Sequence, residues 1–220
     1  ETPTLSHDGY LINGAFAGIC GYIGLICLYA GLSTGRMGVV SPISSLSVLL
    51  PLSFALVIKG DRLSTPVMVG VIAAVLGGFL ASGPEISQGL PLKPLMLAIG
   101  AACGFGTALT FMSIGSQDSS LLTMVTMRAT TLFISAAFFI RSRGFGGARI
   151  RDLPLLAGIG VADFSANLLL GIATTKGLVS IAMVLGSLYP IATAGLAFIF
   201  LRERLHRVQY IGVVLAVTGV

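Results

Sequence analysis

Long apolar runs separated by brief polar breaks dominate this chain. A helix crossing the roughly 30 Å hydrocarbon core of a bilayer needs about 20 apolar residues. The runs therefore predict eight membrane helices, over residues 10–33, 37–58, 64–81, 92–115, 119–140, 153–175, 178–201 and 208–220. The last run is only 13 residues long, so it reads as a helix cut short. The breaks between runs are short, which makes consecutive helices antiparallel neighbours in a bundle.

The breaks also repeat. Asp61-Arg62-Leu63 follows the second run and Glu203-Arg204-Leu205 follows the seventh, an offset of 203 − 61 = 142. At that same offset Gly18 matches Gly160, Gly35 matches Gly177, Ser45-Leu46 matches Ser187-Leu188 and Ala55 matches Ala197. Gly70-Val71 likewise matches Gly212-Val213, Ala74-Val75 matches Ala216-Val217, and Gly77 matches Gly219. One gapless register over three helices is a repeat signature. Each matched helix is separated from its copy by five crossings, an odd number, so the copies must run in opposite directions, as in inverted-topology transporters.

The predicted fold is an all-α integral membrane bundle of inverted repeats. Residues 10–81 are expected to be the last three helices of a first repeat, 82–91 a connecting loop, and 92–220 a second repeat of five helices. The fourth and fifth runs precede the sixth within the second repeat, so counterparts are expected ahead of the first run. The chain begins with Glu1 rather than Met and reads as eight of an expected ten helices, truncated at the N-terminus.

Composition narrows the surroundings. Hydrophobic residues make up 55% of the chain and charged residues 10%, with a mean hydropathy of +0.99, where soluble domains carry about 25% charged residues. Water cannot solvate that much apolar surface, so the partner is the lipid bilayer. The formal charge of +5 lies mostly in the breaks, where basic residues set orientation, and nucleic acid is not an expected partner. Cys20, Cys27 and Cys103 are scattered inside apolar runs and suggest packing rather than a metal site or a disulfide. Residues 1–9 lack the basic start and apolar core of a secretory signal.

The stretch Ser187-Leu188-Tyr189-Pro190-Ile191, the break Leu201-Arg202-Glu203-Arg204-Leu205, and then Gln209, Gly212 and Gly219 resemble the drug/metabolite transporter superfamily, specifically ten-helix transporters made of two EamA-type repeats. Arg128 stands where members carry an Arg in the second helix of a repeat. The resemblance covers essentially the whole chain. It implies a multi-pass protein of the cell membrane, in bacteria the inner membrane, with no cofactor. The implied function is a permease or exporter that moves a small metabolite or drug-like solute. The first copy departs from the pattern: Val48 stands where the second copy has Pro190, and Pro51 follows almost a turn later, so the kink in the second helix is expected to lie deeper than in the seventh.

Within the apolar runs two ionisable residues stand out. Arg128 is about nine residues into its run and Asp163 about ten, which at 1.5 Å per residue puts both roughly 14 to 15 Å deep, near the midplane. Charges at that depth cost at least roughly 2.5 to 3.5 kcal/mol, so they face the bundle interior and are candidates for function. Asn167, one turn beyond Asp163, extends the polar strip. Two readings stand side by side: the ions neutralise each other and fix helix packing, or they contact substrate or a coupling proton. In the second, Asp163 carries the proton, because a carboxyl can be neutralised by desolvation while Arg stays charged. Arg128 then holds a substrate carboxylate or balances the site.

Tyr22, Tyr29, Ser45, Ser187 and Tyr189 are the next candidates for lining a substrate cavity, since aromatic faces with hydroxyl tips grip amphipathic solutes. The serines also have a plainer reading, as small residues bonded to backbone carbonyls. Pro42, Pro51 and Pro190 are expected to kink their helices beside a solute path. Gly14 with Gly18, Gly31 with Gly35, and Gly100 with Gly104 are spaced for close helix contact. Asp61 and Glu203 are expected to cap the helices that follow them.

An enzyme is the rival reading. His7 and His206 lie at polar edges, so no base sits at depth, and no HExxH or CxxC pattern is present for metal or redox chemistry. A lipid-modifying enzyme would use the Arg141–Arg151 region with Asp152; a purely structural membrane protein is the third reading. Orientation is two-sided. Counting places Arg36, Lys93, Arg141, Arg143, Arg149, Arg151, Arg202, Arg204 and Arg207 on one face and Lys59, Arg62 and Lys176 on the other, which makes the N-terminus external; the family resemblance implies the reverse.

Overall fold

The structure is a computed structural model, and it describes residues 9–34, 37–81, 92–142, 150–188 and 207–219. Among the described residues every regular element is helical. In chain order they are α1 (Gly9–Leu32), α2 (Met37–Ser45), α3 (Leu49–Val57), α4 (Thr65–Ala81), α5 (Leu92–Ser142), α6 (Leu153–Lys176), α7 (Val179–Gly186) and α8 (Arg207–Thr218). A single 3-10 turn, Leu46–Val48, joins α2 to α3. Large apolar side chains such as Val57, Phe133 and Ile140 point outward at 81%, 76% and 75% exposure. Exposed apolar residues on helices of this length suit lipid rather than water.

The predicted fourth and fifth helices are the two arms of α5. Ser119 breaks the helix with extended angles, φ −161° and ψ 112°, and its hydroxyl accepts the Leu122 backbone N–H at 3.3 Å. Extended backbone plus a hydroxyl on the third following amide is how a serine starts a helix. The second arm therefore turns back on the first, bringing Gly115 beside Thr123. α1 lies along this hairpin. Gly24 meets Phe105 and Gly9 meets Asp118, antiparallel to the first arm, while Gly14 meets Thr126 and Gly18 meets Thr130, parallel to the second. A Cβ on Gly104 would fall 2.6 Å from the Gly24 Cα, so neither position has room for a side chain. In lipid, where apolar surface gains little by leaving the solvent, backbone contact of this kind is what holds helices together.

The repeat is visible in the packing. The offset of 142 carries Met37, the start of α2, onto Val179, the start of α7, and Thr65, the start of α4, onto Arg207, the start of α8. α4 and α8 cross antiparallel with reciprocal contacts. A Cβ on Gly70 would sit 2.5 Å from the Gly219 carbonyl oxygen, and one on its copy Gly212 would sit 2.8 Å from the carbonyl of Gly77, the copy of Gly219. In the same way Gly77 abuts Ala216 and Gly219 abuts Ala74. Reciprocal contacts between antiparallel copies define a pseudo-two-fold axis perpendicular to both helices, the arrangement of an inverted repeat.

The second predicted helix is divided where the prolines lie: Pro42 is inside α2, Pro51 is in the first turn of α3, and the 3-10 turn sits between them. Proline removes a helical N–H, so the ladder tightens rather than continuing. The expected offset in depth between the two kinks turns on Pro190, which lies outside the described residues. The first copy leaves α-helix after Ser45 and the second after Gly186, one residue apart at the repeat offset. Pro190, Tyr189 and most of the predicted 178–201 helix lie outside the described residues.

A correction concerns Asp61. Gly60, at φ +72°, ends α3 in the left-handed region that glycine tolerates, and the Asp61 N–H then reaches the Ala55 carbonyl at 3.0 Å. The carboxylate does not cap α4, which follows it. It accepts the Ser180 N–H at 3.0 Å and the Ser180 hydroxyl at 2.8 Å, at the start of α7 in the other copy. The physics is as expected, an anion at a positive helix end, but the helix is one that only the tertiary fold brings near. Asp61→Ala is expected to cost about 1 to 2 kcal/mol, read as a lowered midpoint of thermal unfolding in detergent; an unchanged midpoint would show that the cap contributes nothing.

Candidate functional site

The second arm of α5 and α6 run antiparallel. Near the hairpin, Gln117 donates to the Thr174 carbonyl at 3.1 Å and Ser116 packs on Gly171. Two to three turns further along this seam, Arg128 on α5 meets Asp163 on α6. The start of α6 explains its register: Asp152 precedes it, Pro154 occupies its first turn, where no N–H is needed, and Lys176 closes its last turn. Asp163 then stands ten residues in, at mid-height of a 24-residue helix.

The two charges form an ion pair through Arg128 Nη2 and Asp163 Oδ2. Asn167, one turn along α6, donates its side-chain amide to Asp163 Oδ1 at 3.1 Å and to the Asp163 carbonyl at 2.9 Å. Both carboxylate oxygens are thus engaged, one by a cation and one by a neutral donor. The side chains retain 35% exposure at Arg128 and 54% at Asp163, so the pair borders open space rather than being sealed. Arg128 Nε is buried and has no acceptor among the described residues. A guanidinium carries five N–H groups in a planar fork, so with one spent on Asp163 this one retains donors suited to a carboxylate or phosphate.

Of the predicted site residues, the fold gathers three: Arg128, Asp163 and Asn167. Of the other candidates, Tyr189 lies outside the described residues. Tyr22 turns its ring to Phe138, centroids 6.2 Å apart, and Tyr29 is 63% exposed. Ser45 gives its hydroxyl to the Pro42 carbonyl at 2.7 Å, and Ser187 gives its own to the Val184 carbonyl at 2.7 Å. Each serine thus satisfies a carbonyl in the last turn before its helix breaks, at equivalent places in the two copies. Their twofold correspondence reflects the repeated break.

Sequence reasoning does not single out Gln117, whose bond to Thr174 ties α5 to α6. Gln117-Asp118 falls between two predicted runs and reads as a connector. The buried hydroxyls of Ser116, in the same connector, and of Thr123, inside the fifth predicted run, have no partners among the described residues and are not singled out either.

The EamA-like transporter family profile matches residues 92–220, more than half of the chain. The chain belongs to the EamA-like transporter family. This agrees with the resemblance to the drug/metabolite transporter superfamily. Members of the family are transporters rather than enzymes, so a membrane location and a transporter-like function follow. No curated protein matches the sequence. Among solved structures, one described only as "Crystal structure of protein" aligns with a TM-score of 0.70 at 14% identity, over 99% of this chain and 88% of that one. At that identity the likeness shows the fold alone. Arg128 and Asp163 both fall in the segment that the family profile matches.

Proposed function

We propose that the protein is a secondary transporter of the cell membrane, carrying a small polar or amphipathic metabolite between two inverted repeats by alternating access. The observation that carries this reading is the Arg128–Asp163–Asn167 cluster, a charged pair halfway along two apolar helices of an EamA-like family member. Intramembrane ions of this kind mark substrate or ion pathways. In this scheme Arg128 holds an anionic group of the solute, Asp163 exchanges a coupling proton, and Asn167 keeps the carboxylate oriented when the guanidinium turns to substrate. The reciprocal α4–α8 crossing supplies the axis about which one repeat rocks against the other.

The test is solute flux in proteoliposomes under an imposed pH gradient, screening anionic and zwitterionic metabolites on the protein in its longest natural form. Accumulation that collapses with a protonophore supports the proposal. Flux insensitive to the gradient would remove the proton from the scheme, and lipid turnover without flux would replace transport by an enzymatic activity.

A further inference from the structure

An open groove lies away from the ion pair, between α3 and the first arm of α5. It has a volume of about 580 Å³ and is walled by Leu50, Phe54, Val57, Ile58, Phe111 and Ile114. The hydroxyls of Ser53 and Thr110, which also face it, are bonded to carbonyls of their own helices, Leu49 at 2.7 Å and Gly106 at 2.9 Å. Those two hydroxyls are therefore not waiting for a polar ligand, and with Thr107 as the one further hydroxyl residue the wall is mainly apolar. Along α3 the groove runs from Leu50 to Ile58, about 12 Å at 1.5 Å per residue, close to the roughly 15 Å that one leaflet contributes to the hydrocarbon core.

Its mouth has a different character. Lys59 directly follows Ile58, and Arg62 stands just past the Gly60 turn; both are exposed. Among the described residues the ion pairs are Arg128–Asp163 and Arg151–Asp152, so neither mouth cation is paired there. Asp61, the acid between them, does not neutralise them by contact, because its carboxylate is turned to Ser180. That contact also brings the end of α3 to the turn between α6 and α7, just after the exposed Lys176. Asp118, one turn beyond Ile114, has its carboxylate by Gly9 on α1, so Lys59, Arg62 and Lys176 against Asp61 and Asp118 leave a net positive charge at the end of an apolar slot one leaflet deep. We propose that the groove is a lipid site: it takes one acyl chain of an anionic phospholipid from the adjoining leaflet, with the headgroup phosphate on Lys59 and Arg62.

The chain contains no Trp, so Phe54→Trp provides a lone fluorophore inside the groove, and Phe133→Trp, at a position 76% exposed on the second arm of α5, reports on bulk lipid. Each variant is reconstituted in vesicles of brominated phosphatidylglycerol or brominated phosphatidylcholine mixed with unlabelled lipid. The proposal expects quenching at position 54 with a preference for phosphatidylglycerol of roughly fivefold or more, the effect of basic residues near an anionic headgroup. Lys59→Gln with Arg62→Gln should bring that preference to about one, while position 133 shows none in either background. Equal quenching by both lipids at position 54 would overturn the proposal. So would a preference that survives the double substitution, or a fluorophore at position 54 that escapes brominated lipid and is quenched by aqueous iodide. Should Phe54→Trp fail to insert, Val57→Trp reads the same groove.

Discussion

Asp163→Asn is expected to reduce proton-coupled uptake to background while leaving exchange of labelled for unlabelled solute measurable. Asparagine keeps the shape of the side chain and still offers Arg128 an acceptor, so the arginine remains placed to hold a solute; what disappears is a group that can release and regain a proton. The competing account, in which the pair only fixes α5 against α6, makes a different forecast. Removing one partner of an ion pair leaves the other charge uncompensated. With 35% and 54% of the side chains exposed, the cost should be about 2 to 3 kcal/mol, at or below the low end for fully buried pairs. Under that account Arg128→Gln combined with Asp163→Asn removes both charges, restores stability, and restores transport with it. Under the transport reading the double variant recovers its thermal midpoint but stays inactive. Uptake and unfolding measured on the two single variants and the double variant form a double-mutant cycle that separates these roles, and recovery of proton-driven accumulation in the double variant would defeat the proposal.

How legible each feature is in the sequence follows from which coordinate it depends on. Depth along a helix is readable, because 1.5 Å per residue counted from a polar break is enough to place Arg128 and Asp163 at the same level. The hairpin break is readable too, since Ser119 carries the helix-starting hydroxyl at the first position of the fifth predicted run. Rotation about the helix axis is a different matter. Helices such as α5 and α6 are apolar around most of their circumference, and lipid and protein neighbours are equally content with Leu and Ile, so no stripe marks the inward face. That is why the sequence offers Tyr22 and Tyr29 as cavity candidates without fixing which way either ring faces. Asp61 departs from expectation for a related reason: its partner is 119 residues away, and the capping chemistry names the kind of group it meets but not the helix.

The glycines at the α4–α8 crossing carry a large expected effect on stability, and their reciprocity makes the forecast specific. A methyl group on Gly77 would collide with Ala216, and one on its copy Gly219 would fall 2.7 Å from the Ala74 backbone nitrogen. The obstructing atoms are backbone or β-carbons, not flexible side-chain ends, so the helices themselves must part. Overpacking of this kind costs about 1 to 3 kcal/mol even for small additions. In lipid the lost backbone contact is not recovered by burying the new methyl, because the hydrocarbon around it was already apolar. Gly77→Ala and Gly219→Ala are therefore expected to destabilise to similar extents, with Gly77→Val worse. On α6, Gly158 and Gly160 have nothing among the described residues within 4 Å of where a Cβ would stand, so alanine there should be neutral or stabilise by up to about 1 kcal/mol through helix propensity alone. Thermal unfolding of the four alanine variants in detergent reads the contrast directly. If Gly77→Ala and Gly219→Ala diverge, the crossing is not two-fold; if neither differs from Gly158→Ala, the close contact does not hold the copies together. The matching pair would instead show that two segments 142 residues apart in sequence meet across an axis lying in the plane of the membrane.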